Sequence, residues 1–63
     1  MKKQIFDILG SDIVVFSDGE YKWKRDFIKR IPKLGRVLHR ELKNTKTGKV
    51  QWFVNNHVVE VKE

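Results

Sequence analysis

The clearest local pattern lies between residues 13 and 24, where an apolar, β-prone run over 13–16 precedes a segment in which Tyr21 and Trp23 alternate with charged residues. A period of two is typical of a half-buried β-strand, because successive side chains point to opposite faces of a sheet. Asp18 and Gly19 lie between these two segments, and both residue types tolerate the positive φ that a tight two-residue turn requires. The pattern therefore predicts a β-hairpin in which Phe16 pairs with Tyr21 on an aromatic, core-facing side.

A second alternating segment lies near the end of the chain. It predicts strands over Lys49–Val54 and His57–Lys62, joined into a hairpin by the two asparagines between them. Asparagine adopts left-handed backbone geometry more readily than other non-glycine residues, which suits such a turn. In this register Trp52 pairs with Val59 on the core side, while Phe53 falls on the opposite, more polar face.

Residues 4–9 are compatible with two descriptions. A turn at Gly10 and Ser11 would add this segment to the first hairpin as a further strand. Alternatively, Ile5 and Leu9 would lie on one side of a short helix that ends at Gly10. We favour the strand.

The middle of the chain, residues 25–44, has the period of an amphipathic helix. At about 100° per residue its apolar residues fall within an arc of about 80°, and its basic residues lie opposite. Pro32 and Gly35 oppose a continuous helix, because proline lacks a backbone N–H and glycine has a low helix propensity. The apolar residues of the arc are Phe27, Ile31, Leu34, Leu38 and Leu42.

Two arrangements reconcile the helical period with these two residues. In the first, the helix begins near Pro32, where proline suits the first turn, and ends at Asn44. In the second, a short helix over 25–31 is followed by a turn and by a strand over 36–43. That strand would form a hairpin with the next one, with Leu42 opposite Trp52.

Both arrangements predict a single domain over residues 1–63 of the α+β class. It would consist of a small antiparallel β-sheet of hairpins with one basic amphipathic helix in the middle of the chain. The alternative is an all-β small barrel of SH3-like type. The chain has no cysteine, so disulfides and cysteine-ligated metals do not contribute to its stability.

Charge is distributed unevenly along the chain. The net charge is +6, yet residues 22–49 hold eleven lysines and arginines against only two acids. Such asymmetry is typical of a chain with a polyanionic partner. The residues expected to contact nucleic acid are Lys22, Lys24, Arg25, Lys29, Arg30, Lys33, Arg36 and Arg40.

No set of residues indicates a reaction. Ser11 and Ser17 lie beside predicted turns without a nucleophile elbow, and the two histidines are too few for a structural zinc site. Thr47-Gly48-Lys49 lacks the upstream glycine of a phosphate-binding loop. We therefore expect no catalysis, no metal and no cofactor. The segment after the basic start has no cleavage site and no apolar run approaches membrane length, so we expect a cytoplasmic protein without membrane contact.

The favoured function is that of a small basic nucleic-acid-binding protein, with DNA as the preferred ligand, acting through backbone electrostatics. The alternative is a small regulator or inhibitor that binds a larger acidic protein, as accessory proteins of viruses or mobile elements do. A homodimer is compatible with either. A contiguous apolar patch of Phe53, Val37 and Val58 would favour the protein partner.

Overall fold

The computed structural model describes the whole chain, residues 1–63, and its regular structure is one antiparallel β-sheet. The strands lie in the order β1-β6-β2-β3-β4-β5. A single 3-10 turn over Ile5–Asp7 follows the first strand. The six strands are β1 Lys2–Gln4, β2 Val14–Phe16, β3 Gly19–Ile31, β4 Gly35–Asn44, β5 Val50–Phe53 and β6 Val58–Val61.

The predicted helix is absent, so the α+β class is wrong and the all-β alternative fits. Residues 25–44 form the outer parts of β3 and β4, which pair with each other along their length. Pro32 lies in the turn that joins them, and this turn uses positive φ at Lys33 (76°) and Gly35 (78°). The helical spacing of the apolar residues misled because β pairing distributes them over both faces. Ile28 and Leu38, a cross-strand pair, remain 62% and 47% exposed, because β5 does not reach this part of β4.

The first predicted hairpin is confirmed, with a different register. Val14 lies opposite Tyr21 and Phe16 opposite Gly19, so the turn residues are Ser17 and Asp18. Because side chains alternate with a period of two, this shift of two residues leaves the side chains from Val14 to Trp23 on their predicted faces. Tyr21 accordingly lies in the core. Arg25, predicted on the aromatic face, lies on the opposite one, because the pairing of β3 shifts after Trp23.

The second predicted hairpin does not form, although both of its strands exist. β5 pairs with β4, whereas β6 pairs with β1 and β2. Trp52 lies opposite Glu41, and Phe53 lies opposite Arg40. This register differs by one residue from the predicted pairing of Leu42 with Trp52, so the side chains of β5 lie on the faces opposite to those predicted. Val59 and Val61 of β6 remain in the core, as predicted.

The segment after β1 closes the core instead of adding a strand. Ile5, the first residue of the 3-10 turn, and Ile8, directly after it, are buried, so the strand favoured for residues 4–9 is wrong. The sheet curves around these residues, and the rings of Phe16 and Phe53 stack with their centroids 5.7 Å apart. The buried hydrophobic residues are Ile5, Ile8, Val14, Tyr21, Leu42, Val59 and Val61.

β3 and β4 extend beyond the rest of the sheet. β5 pairs with β4 only from Arg40 towards the end of β4, so residues 27–39 form a two-stranded ribbon, here called the arm. The chain is elongated accordingly, with a longest dimension of 38 Å. We call the face of the sheet that carries Leu42 the inner face, and the opposite face, which carries Glu41 and Trp52, the outer face.

The base of the arm is fastened to the core by Arg40, which is only 7% exposed. Its Nε and Nη2 donate hydrogen bonds to the two carboxylate oxygens of Asp26, both at 2.9 Å. Its Nη1 donates to the carbonyl oxygen of Ile5 at 3.1 Å, and its guanidinium lies 4.4 Å from the centre of the Trp23 ring. Arg40 therefore connects both strands of the arm with the segment that closes the core.

Candidate nucleic-acid interface

A β-bulge in β3 brings two cations together on the outer face. The pairing with β4 shifts between Trp23 and Arg25, which leaves Lys24 as the extra residue. A bulge of this kind redirects side chains locally. Here Lys24 Nζ and Arg25 Nε lie 3.3 Å and 3.4 Å from the same oxygen of Glu41.

Glu41 is a buried carboxylate beneath these cations, with 3% of its surface exposed. Its Oε1 accepts a 2.7 Å hydrogen bond from the indole N–H of Trp52. This bond lowers the pKa of Glu41 most, and the neighbouring Lys24 and Arg25 lower it further, against the opposing effect of burial. Glu41 is therefore ionised at neutral pH and attracts both cations to the outer face.

An aromatic cluster lies next to this carboxylate. The rings of Phe27 and His39 stack with their centroids 5.0 Å apart, and Trp52 contacts both in edge-to-face geometry at 5.3 Å and 6.2 Å. Arg25 lies 4.6 Å from the centre of the Phe27 ring, and Lys29 Nζ lies 5.4 Å from the centre of the Trp52 ring. Despite these contacts Trp52 remains 51% exposed. Cations and one exposed aromatic ring therefore share this part of the outer face.

Further lysines continue the positive charge along β3 and β4. Lys22 and Lys43 form an exposed cross-strand pair on the outer face. Together with Lys24 they line a shallow groove of about 410 Å³. We call this part of the outer face the basic face; its cations are Lys22, Lys24, Arg25, Lys29 and Lys43.

The other acids of the outer face lie outside the basic face. Glu20 and Glu60 occupy the outer face where β2 pairs with β3 and β6. Lys62 is 3.2 Å from Glu20, and the amino terminus lies 3.9 Å from Glu60. The outer face is thus divided into a mixed-charge half and the basic face, where Glu41 is the single carboxylate and is buried.

The remaining predicted contact residues lie on the arm. Arg30 and Arg36 are an exposed cross-strand pair on the inner-face side of the arm, next to Ile28 and Leu38. Lys33 is exposed in the turn at the tip. The structure therefore separates the predicted residues into two groups, one on the basic face and one at the end of the arm.

Arg40 belongs to neither group. Its guanidinium is buried and hydrogen-bonded to Asp26 and to the carbonyl oxygen of Ile5, so it is a structural residue and not one of the exposed cations. Sequence reasoning placed it with the other cations because the helical pattern put all of them on one solvent-exposed stripe.

Three residues of this face were missed as contact candidates: Phe27, Lys43 and Trp52. Trp52 was assigned to the core through the assumed pairing with Val59, and Phe27 was assigned to the apolar side of the helix. The signal for the correct arrangement was the turn at residues 45–48, which brings β5 beside β4.

No family model, curated protein or solved structure matches this chain. The structure holds no group of three or more histidine, aspartate or glutamate side chains placed to hold a metal ion. No helix in it is long and apolar enough to cross a membrane.

Proposed function

We propose that this protein binds nucleic acid through the basic face, with electrostatic contacts to phosphates providing most of the affinity. The observation that carries the proposal is the set of five cations around an exposed tryptophan, with one buried carboxylate between them. Phosphate contacts need long cationic side chains on a rigid element. Two adjacent strands of a paired sheet provide that element.

The surplus of positive charge on this face supports the proposal. Lys24 and Arg25 share the single negative charge of Glu41, so the pair retains one net positive charge. Lys22, Lys29 and Lys43 have no carboxylate within ion-pair distance. Unpaired cations are the ones that release counterions when a phosphate binds them.

The apolar patch that would have favoured a protein partner does not form. Phe53 lies on the inner face and stacks on Phe16. Val37 is on the outer face of the arm, because it lies an odd number of residues from Arg40 in β4. Val58 lies in β6, which pairs with β1 and β2 and not with β5.

A second candidate function depends on a different patch. Ile28 and Leu38 form an exposed apolar pair on the arm, and Arg30 and Arg36 lie beside them. An apolar centre with a cationic rim suits an acidic protein surface. This patch favours the regulator hypothesis, and substitutions on the arm distinguish it from binding through the basic face.

The test is a fluorescence-anisotropy titration of labelled DNA and RNA, single- and double-stranded, between about 50 and 200 mM salt. Contacts with four or five phosphates predict a slope of log K against log salt of about −3 to −4. DNA is the expected preference over RNA. Binding that does not saturate, or an affinity that does not depend on the salt concentration, would contradict the proposal.

A matched pair of double variants locates the binding surface. Lys22→Gln with Lys43→Gln removes two charges from the basic face, and we expect the salt slope to shrink by about 1.5. Lys2→Gln with Lys62→Gln removes the same charge from the mixed-charge half, where Glu60 lies opposite Lys2 and Glu20 forms an ion pair with Lys62. Equal effects of the two double variants would show that net charge alone governs binding and would contradict a defined basic face.

A further inference from the structure

We infer that the ligand of the basic face is single-stranded nucleic acid, and that Trp52 stacks on an unpaired base while Glu41 holds the indole in position. This inference rests on the proposed function and specifies its substrate class. Base stacking on exposed aromatic rings beside a cationic track is the general mode of single-strand recognition.

The first argument concerns the position of Trp52. A tryptophan that is 51% exposed leaves a large apolar surface in water, which does not stabilise the folded chain. Trp52 nevertheless has defined geometry, because its N–H donates to Glu41 and its ring contacts Phe27 and His39. An exposed ring that is already fixed loses little conformational entropy when a ligand stacks on it.

The second argument concerns the burial of Glu41. A buried carboxylate is unfavourable unless its partners compensate, and one of its oxygens, Oε2, has no hydrogen bond of good geometry. A leucine at this position would pack without that penalty. The carboxylate does what leucine cannot: it anchors the indole N–H and draws Lys24 and Arg25 to the edge of the aromatic cluster.

The third argument separates single strands from duplexes. The major groove of DNA admits a helix or a two-stranded ribbon, and bases stacked inside a duplex do not expose their faces. Trp52 lies on β5, the edge strand of the six-stranded sheet, and not on the two-stranded arm. An unpaired base, in contrast, can lie flat on the ring while its flanking phosphates contact Lys24, Arg25 and Lys29.

The test compares an oligothymidylate of about 16 nucleotides with the corresponding duplex. We expect the single strand to bind more tightly. Trp52→Leu should weaken single-strand binding about 10-fold or more without changing the salt slope, because stacking and phosphate contacts are separate contributions. Trp52→Phe, which keeps an aromatic face, should recover most of the affinity.

Tryptophan emission provides a second measurement that needs no disruptive variant. Trp23 is partly buried against Arg40, and its indole N–H donates a hydrogen bond to Asp26, whereas Trp52 is exposed. Saturating single strand should therefore quench the emission of the wild-type protein, and the quenching should disappear in Trp52→Phe. Persistent quenching in that variant would overturn the inference.

Two neutral variants test the role of Glu41 as a positioning residue. Glu41→Gln keeps an oxygen that accepts the indole N–H, whereas Glu41→Leu does not, and both remove the same charge. We expect Glu41→Gln to retain the base-dependent quenching and Glu41→Leu to lose most of it. Equal quenching by the two variants would contradict a positioning role.

The possible outcomes separate the inference from the function on which it rests. If no nucleic acid binds, the proposed function fails and the inference fails with it. If binding is salt-dependent but Trp52→Leu binds as tightly as wild type, the function stands and the inference is overturned. Tighter binding of the duplex than of the single strand also overturns the inference alone.

Discussion

Replacing Asp26 with asparagine removes the charge that compensates the buried guanidinium of Arg40. The two side chains make a bidentate contact with both distances at 2.9 Å. Removing one partner of a buried ion pair costs about 3–5 kcal/mol, because the other charge stays buried without compensation. The side chain of Asp26 is 27% exposed, and asparagine still offers one oxygen, so we expect a loss of about 2–3 kcal/mol.

This loss is large for so small a domain. A core of this size contributes roughly 3–5 kcal/mol of net stability, so Asp26→Asn should remove half of it or more. About 1 kcal/mol corresponds to 4–8 °C in the melting temperature, which predicts a decrease of about 10–20 °C. Thermal and urea unfolding, followed by circular dichroism, measure it. Asp7→Asn, which removes an equal charge from an exposed position, is the control.

The pH dependence gives an independent readout of the same pair. The hydrogen bonds from Arg40 lower the pKa of Asp26 below its ordinary value of 3.8, and the bond from Trp23 lowers it further. Stability from this pair is therefore present above that value and is lost as the pH falls through the lower, folded pKa. The free energy of unfolding of Asp26→Asn should therefore fall less over that acidic pH range than that of the wild-type protein.

A double variant completes the reasoning. Asp26→Leu with Arg40→Met removes both charges, and it should be more stable than Asp26→Leu alone, because no uncompensated cation remains. Equal melting temperatures of Asp26→Asn and Asp7→Asn would show that the ion pair does not stabilise the base of the arm. A double variant less stable than Asp26→Leu alone would also refute this explanation.

Three further outcomes follow from the turn and the core. Gly19→Ala should cost about 2 kcal/mol of stability, since φ is +134° there and the new Cβ would lie 2.8 Å from Asn44 Nδ2. Gly10→Ala, with open space around it, is the control in thermal melts. Equal melting temperatures of the two variants would contradict the clash. Tyr21→Phe should cost about 1 kcal/mol in urea unfolding, because the buried hydroxyl donates a 2.8 Å hydrogen bond to Asp18; an unchanged midpoint would show that the bond contributes nothing. The same hydrogen bond is the largest cause of the lowered pKa of Asp18, so NMR titration of Tyr21→Phe should show that pKa rising towards 3.8. An unchanged pKa of Asp18 in this variant would assign the lowering to Lys49 instead.

Local patterning located most strands but left their partners undecided. The first hairpin was predictable because its turn residues and its alternation agree, and a register error of two preserved the faces. The strands of residues 49–62 were also predictable, yet they do not pair with each other: β5 pairs with the preceding strand β4, and β6 pairs with β1 and β2, which are distant in the sequence. Local alternation carries no information about such partners, so Trp52 and Phe53 were assigned to the wrong faces.

The arm shows why the helical period misled. Spacing by three and four residues arises in a ribbon when apolar residues occupy both faces, which happens here because no other strand covers the arm. Pro32 and Gly35 were the correct signals, since both suit a turn and both oppose a helix. The bulge at Lys24 had no local signal, although it decides which cations share Glu41.

The sequence by itself determined the concentration of positive charge between residues 22 and 49, the first hairpin and the absence of cysteine chemistry. These properties depend on composition and on neighbouring residues. Only the tertiary structure decided which residues can meet a ligand, because Arg40 is occupied by Ile5, far away in the chain, and Trp52 takes its orientation from the register of β5 against β4. Arg40 is buried by contact with Ile5, and Trp52 is exposed by pairing with β4. Both depend on strand register, which long-range packing selects.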